Sequence, residues 1–306
     1  VHNTFPLISP AVYAAARDGG AAVVQTLHNF RTLCVKAQLL RDGAVCEDCV
    51  GRAVPWPGVV HRCYRDSLVA SGAAATMLTV HRAAGTWRRA VDRYVALTGF
   101  ARDKFVAGGL PAARIAVKPN FLDSPAPAAA GPEARSGGLF VGRLSPEKGI
   151  GVLAAALARG PVPLRIAGEG PVAVAAAPDL TLLGRIDAGA VAREMAAAAY
   201  LVVPSVWYEG FPMVIVEAFA RGLPVIASRI GSLAEIVEDG VTGLLAAPGD
   251  AADLAAKMRW AHEHPGEMAA MGRAARARYE ALYTPERNYA MLMEIYAAAR
   301  AQAASA

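Results

Sequence analysis

Apolar residues recur along this chain in short blocks, each closed by a glycine or proline and followed by a longer stretch of mixed polarity. Ala22 to Leu27, Tyr94 to Leu97, Arg114 to Val117, Leu139 to Val141, Leu164 to Ile166, Leu180 to Leu183, Leu201 to Val203 and Pro224 to Ile226 read as buried strands. Helical stretches lie between them. Ser9-Pro10 ahead of Ala11 to Ala16, with Gly19-Gly20 behind, gives a cap, a first-turn proline and a glycine stop. Asp66 is read as the cap of one long helix over residues 67–90, and Phe100 to Val106 as a helix closed by Gly108-Gly109. A terminal helix opens at Thr284-Pro285-Glu286, and its stripe Tyr289, Leu292, Met293 and Tyr296 predicts a packed face. Strands alternating with helices imply an α/β fold with parallel sheets and right-handed crossovers.

Two segments break this rhythm. Residues 29–66 hold all four cysteines, and residues 122–137 are rich in proline and alanine without periodicity, as a linker would be. The organisation expected is a domain over 1–121 with an insertion at 29–66, a linker at 122–137, a second domain over 138–283, and a terminal helix over 284–306 returning to the first domain. The first residues read as the end of a strand, with no opening strand and glycine turn before them, so the first domain is expected to be incomplete.

At 306 residues there is chain enough for two cores. The 55% hydrophobic content includes much alanine, and no apolar run reaches the roughly 18 residues of a membrane span. No basic and apolar leader opens the chain, which makes a cytoplasmic protein the expectation. A net charge of +5 permits attraction to phosphates or to an anionic bilayer. Arg62, Arg65, Arg82, Arg88, Arg89 and Arg93 around Trp87 suit peripheral contact with the inner face of a membrane, or simply a solvated face.

The candidate chemistry sits where strands end. Glu209-Gly210-Phe211-Pro212-Met213 follows the strand at 200–203 and leads into a helix carrying Glu217, with Pro212 read as its first residue. A helix start offers free N–H groups to an anion, and here one carboxylate stands in front of it and another behind. Two solvent-facing glutamates on an ordinary βα unit are the alternative. Arg143 and Lys148 lie between a strand end and a helix start, where a guanidinium fork and an ammonium would suit a diphosphate. Gly168 and Gly184-Arg185 follow the next two strands and allow close approach of a ligand. His28 lies at the carboxyl end of its strand, where ligands of open sheets collect, or is bonded within a loop. Cys46-Glu47-Asp48-Cys49 is a C-x-x-C knuckle flanked by Cys34 and Cys63. The four match a structural zinc site, with two disulfides or four unconnected thiols as alternatives.

Gly142-Arg143-Leu144 with Glu147-Lys148-Gly149, Glu209-Gly210-Phe211-Pro212 with Glu217, Gly222-Leu223-Pro224 and Asp239-Gly240 with Thr242-Gly243 together resemble family 4 of the glycosyltransferases. Thr26-Leu27-His28-Asn29 resembles the acceptor-domain position of that family's active-site histidine. The resemblance implies a GT-B fold, two Rossmann-like domains facing across a cleft. It implies retaining transfer of a hexose from a nucleotide diphosphate sugar to a glycan or lipid-linked acceptor, without a catalytic metal, in surface polysaccharide or glycoconjugate synthesis. It also implies roles. Glu217 would hold the ribose, and Glu209 with the backbone of Gly210, Phe211, Pro212 and Met213 the sugar and distal phosphate. Arg143 and Lys148 would stabilise the leaving diphosphate, the segment around Gly184 and Arg185 would edge the nucleobase, and His28 would reach the transferred sugar. The competing readings are an inactive nucleotide-sugar-binding fragment, or a nucleic-acid or partner-binding module built on the cysteine segment. The second is weakened because residues 29–66 lack interleaved aromatic and basic residues.

Overall fold

A computed structural model describes residues 1–5, 8–123, 135–175 and 179–304, which form two compact units. The first comprises Val1–Asn120 and Asn288–Ala306, the second Phe121–Arg287. Most of the predicted linker, residues 124–134, lies outside the described residues. Its last three residues belong structurally to the second unit: Arg135 donates to the carbonyls of Arg221 and Gly222 at 2.6 and 2.9 Å, and Ser136 N–H donates to Ala197 O.

In the first unit, α1 (Ala11–Asp18) precedes β1 (Val24–Leu27), then come the two-residue strands β2 (Leu40–Arg41) and β3 (Ala44–Val45) and the short α2 (Trp56–Val60). The long helix expected over 67–90 is two helices, α3 (Leu68–Ala83) and α4 (Thr86–Arg89). Gly85, at φ 65°, breaks them apart in a left-handed conformation that favours glycine. Ser67 rather than Asp66 caps α3, its hydroxyl accepting from Ala70 N–H, while Asp66 itself is left-handed at φ 51°. Pro10 is likewise the N-cap of α1 rather than its first residue. β4 (Arg93–Ala96), α5 (Gly99–Ala107) and β5 (Ile115–Val117) follow, giving a three-stranded parallel sheet in the order β1-β4-β5. Buried Asp92 ties α1 to this sheet by accepting from Arg17 at 2.6 Å and from Val23 N–H at 2.7 Å.

The second unit runs β6 (Gly138–Val141), α6 (Ile150–Leu157), β7 (Leu164–Ala167), β8 (Leu180–Gly184), α7 (Ala188–Ala197), β9 (Tyr200–Val203), α8 (Met213–Phe219), β10 (Val225–Ser228), α9 (Gly231–Ile236), β11 (Gly243–Ala246), α10 (Ala251–Glu263) and α11 (Pro265–Leu282). All six strands are parallel, in the order β11-β10-β9-β6-β7-β8. Counted from β6, that is the doubly wound order, which reverses between its first and fourth strands. β9, β10 and β11 are buried at every position, as strands covered on both faces must be. Two apolar layers sandwich the sheet: Phe219, Ile215, Leu233 and Tyr279 on one side, Ile150, Leu153, Leu254 and Met258 on the other.

The sequence reading lacked β11. A strand of four residues that begins with glycine gives little signal, yet Gly243 is demanded by packing, since a Cβ there would lie 1.9 Å from Val225 O. The terminal helix α12 (Pro285–Ala304) is also read differently in three dimensions. Its buried residues are Asn288, Ile295 and Ala299, whereas Tyr289, Met293 and Tyr296 of the predicted stripe are exposed. Polar bonds fix the start of that buried face: Asn288 accepts from Lys118 Nζ at 3.0 Å and donates to Pro119 O at 2.7 Å.

Candidate active site

The reversal point of the second sheet lies between β6 and β9, and the two loops predicted to carry chemistry leave those two strands at their carboxyl ends. The loop after β6 is shaped by glycines. Gly149, at φ 73°, passes so close to the end of β9 that a Cβ would stand 1.9 Å from Pro204 O. The loop after β7 is packed against it: a Cβ on Gly168 would meet Gly142 O at 1.8 Å, and Leu144 N–H donates to Glu169 O at 2.9 Å. Gly168 N–H in turn donates to Gly184 O at 2.8 Å, which joins the end of β8 to the same rim. Val206 N–H donates to Glu147 O at 3.0 Å and links the β6 and β9 loops directly. All four strand-end features therefore share one connected edge.

Within that edge the expected cations are held by acids. Lys148 Nζ donates to Glu209 Oε1 at 2.7 Å, and Ser205 Oγ donates to the same oxygen at 2.7 Å. Glu209 is 5% exposed, so its charge is compensated by these two donors rather than by water. Trp207 presents its ring 6.0 Å from Lys148 Nζ, and its indole N–H is buried with no partner among the described residues. Arg143 is largely exposed and paired with Glu147. Burial would push the Glu147 carboxyl up, but its own backbone amide and the Arg143 guanidinium hold it below the usual carboxylate range.

Pro212 is the N-cap of α8, one residue outside the helix the sequence assigned it to. Met213 and Val214 open the helix, and their N–H groups point out of its first turn without intrahelical partners. Phe211 is turned toward the core, its ring 6.0 Å from that of Tyr283 at 66°, so its side chain secures the loop and leaves the backbone to face outward. Glu217 lies in the second turn of α8, and burial raises its carboxyl above the usual value, opposed by the Arg221 guanidinium. Arg185 is exposed just after β8, and Asp187 beyond it caps α7 by accepting from Ala190 N–H at 2.7 Å. Sequence reasoning missed Glu147, Ser205 and Trp207 as parts of the site. Each lies inside a motif already singled out or one residue past a strand-ending proline, where no spacing rule marks it.

His28 and the cysteines belong to the first unit. His28 follows β1 and lines a pocket with His2, Gln25, Asn29, Arg31 and Trp87. Its Nε2 stands 2.6 Å from Nδ1 of His2, with the two rings stacked at 4.9 Å. Burial lowers its pKa, and the charges of His2 and Lys118 lower it further.

A doubly wound parallel sheet with apposed acidic and basic loops at its switch point is the framework of a nucleotide-binding α/β unit. Residues 135–264, which lie within the second unit, match the family described as Glycosyl transferases group 1. An uncharacterized glycosyltransferase of Methanocaldococcus jannaschii is 40% identical over 129 residues, covering 40% of this chain and 36% of that protein. The D-rhamnosyltransferase WbpZ of Pseudomonas aeruginosa is 36% identical over 156 residues, 48% of this chain and 41% of that one. The matches thus span under half the length of these relatives. Among solved structures, Anabaena HepE in complex with UDP is similar with a TM-score of 0.70 at 20% identity, over 93% of this chain and 74% of that chain. Sucrose-phosphate synthase of Thermosynechococcus elongatus is similar with a TM-score of 0.70 at 22% identity, over 94% and 70%. These likenesses are of fold.

Proposed function

We propose that this protein is a retaining glycosyltransferase that moves a hexose from a nucleotide diphosphate sugar to a glycan or lipid-linked acceptor, in surface polysaccharide or glycoconjugate synthesis. The observation that carries this reading is the junction of the Arg143–Lys148 and Glu209–Glu217 loops at the sheet's switch point, within a group 1 glycosyltransferase domain. Lys148, with Arg143, serves the diphosphate. Glu209 and the backbone N–H groups of Gly210, Phe211 and Met213 serve the sugar and distal phosphate, with the unpartnered Trp207 N–H beside them. Glu217 serves the ribose hydroxyls, and Gly168, Gly184 and Arg185 edge the nucleotide. His28 is the acceptor-side candidate in its own pocket.

The chemistry follows from where charge develops. The bond between the anomeric carbon and the distal phosphate oxygen breaks, and its electrons stay on the phosphate. The acceptor hydroxyl forms its bond from the same face and gives its proton to that phosphate. Fixed cations stabilise the departing diphosphate more than the bound donor, which is the condition for catalysis. Lys148 is paired with Glu209, so a diphosphate must compete with that carboxylate for the ammonium.

Trp87, expected at a membrane interface among its arginines, is buried at 4% exposure, which overturns that anchor. A peripheral place on the cytoplasmic face of an anionic membrane is proposed instead from α2 and α3. Trp56, Val60, Leu68 and Val69 are exposed there at 53, 61, 54 and 82%, flanked by exposed Arg52, Arg62 and Arg65. Apolar anchors ringed by guanidiniums suit an interface of acidic lipid. Among the described residues no helix is long and apolar enough to cross a membrane. Flotation with anionic vesicles, lost on neutral vesicles and in Trp56→Ala, tests this placement. A structural zinc on the four cysteines is independent of the transfer chemistry.

The direct test is binding followed by turnover. Uridine, guanosine and adenosine diphosphates are screened for a rise in melting temperature, and the matching nucleotide sugars for transfer. A rise with one nucleotide that disappears in Glu217→Ala supports the assignment. No response to any nucleoside diphosphate, together with salt-dependent retention on nucleic acid, sinks it.

A further inference from the structure

All four cysteines of the chain line one small cavity of the first unit. Cys34, Cys46, Cys49 and Cys63 surround a space of about 10 Å³, walled otherwise by Leu40, Arg41, Asp48, Pro57 and Gly58. A space of that size takes about one water-sized sphere, which is the scale of a single ion.

The four thiols arrive from separate turns. Cys34 closes a turn in which its carbonyl accepts from Ala37 N–H, and Cys46 comes directly after β3, with Cys49 three residues on in the knuckle. Cys63 follows α2, its N–H donating to Gly58 O at 2.9 Å. Gly58 admits no side chain, since a Cβ would lie 2.7 Å from Val35 Cγ2 and 3.5 Å from Cys49 Sγ. Around these turns the backbone is held against its preference. Among the described residues every non-glycine with positive φ, from Ala37 at 69° to Asp66 at 51°, lies in this segment. Its regular structure amounts to β2, β3 and α2, and so little of it needs a further constraint to keep six such residues in place.

All four thiols are free rather than paired as disulfides, so each is available as a metal ligand.

We propose that Cys34, Cys46, Cys49 and Cys63 form a tetrathiolate site for one zinc ion that fixes the insertion at 29–66. Four S–H bonds break, four metal–sulfur bonds form and four protons pass to solvent, leaving a site of net charge −2. Arg41 lines the same cavity, and its guanidinium offsets part of that charge. As the side chains stand, no three His, Cys, Asp or Glu residues among those described are gathered tightly enough to hold a metal ion. A tetrahedral sphere would therefore require the four sulfurs to move inward from the cavity wall.

The test uses the full chain, purified from cells without chelator or added metal. The expected result is about one zinc per chain, loss of thermal stability on chelation, and the sulfur-to-cobalt charge-transfer bands of a tetrathiolate when cobalt replaces zinc. A Cys46→Ser, Cys49→Ser double variant is expected to hold no zinc. Should that variant fail to fold, cobalt titration of the unmodified chain decides by the same bands. Metal-free protein with four titratable thiols and no response to chelator overturns the proposal, as does a mass reduced by two disulfides. Because the readouts are metal content and spectrum, they stand or fall separately from nucleotide binding.

Discussion

Glu209 Oε1 accepts two hydrogen bonds at 2.7 Å, one from Lys148 Nζ and one from Ser205 Oγ. The carboxylate side chain is 7% exposed and the lysine 29%, so the pair is only partly screened by water. One oxygen thus joins the loop after β6 to the loop after β9 across the sheet's switch point. Lys148→Met would leave Glu209 with the Ser205 hydroxyl alone. The expected loss is about 1.5–3 kcal/mol, the range for a hydrogen bond to a charged group, read from urea midpoints. Combining it with Glu209→Gln should restore part of that loss, and a coupling of about 0.5–3 kcal/mol in the double-mutant cycle would establish the link. Strict additivity would show that the two side chains do not support each other.

The glycines of the same edge separate close approach from mere turning. Gly149 and Gly168 each face a carbonyl oxygen within 2 Å of where a Cβ would stand, Pro204 O at 1.9 Å and Gly142 O at 1.8 Å. Alanine at either should destabilise by well over about 1 kcal/mol, because the backbone itself must move. Gly151, exposed inside α6 with nothing within 4 Å of its Cβ position, is the control. Alanine there should stabilise by roughly 0.5–1 kcal/mol through helix propensity. Thermal melts of the three variants check the contrast.

The parallel second sheet and the charged motifs at its strand ends were legible because their signals are local. Apolar blocks end in glycine or proline, and the charged motifs sit within a few residues of those ends. What was not legible depends on contacts between distant turns. The break between α3 and α4 is set by one left-handed glycine inside a run of good helix formers. The exposed stripe of α12 carries the larger side chains, yet the helix buries the face of Asn288, Ile295 and Ala299, which a hydrophobic pattern ranks lower. The Lys148–Glu209 pair joins residues 61 apart in sequence, and no spacing rule reaches that far.

Glu217 is predicted to trade stability for binding. Burial raises its carboxyl above 4.5, so the folded chain keeps a proton that the unfolded chain has already lost over the window just above that value. Its contribution to stability is therefore full below about 4.5 and fades as pH rises through the folded value. Glu217→Gln removes the buried charge at neutral pH and should raise the melting temperature of the ligand-free protein. The same change should weaken nucleoside diphosphate binding at least about tenfold, or 1.4 kcal/mol. Calorimetric titration and melting curves on one preparation read both. Tighter binding in the glutamine variant would remove Glu217 from the ribose.

His28 should titrate below its usual 6.5 for reasons that can be separated. Burial is the largest cause, followed by the charges of His2 and Lys118. The rings of His2 and His28 share a contact of 2.6 Å, which a single proton can bridge and two cannot. In His2→Ala the His28 value should move part of the way back up, because burial and Lys118 remain. Proton NMR of the ring resonances follows it directly. The sign of the stability effect is fixed by the same shift. Above pH 6.5 both folded and unfolded chains leave the ring neutral and no penalty exists. As pH falls from 6.5 toward the folded value, the unfolded chain takes up a proton the folded chain refuses, and native stability drops. Urea midpoints measured between pH 7 and about pH 5 should therefore fall for the parent chain and fall less in His28→Asn. An identical slope in the two proteins would mean that His28 takes up protons equally in the folded and unfolded chains, and its contact with His2 would carry no energetic weight.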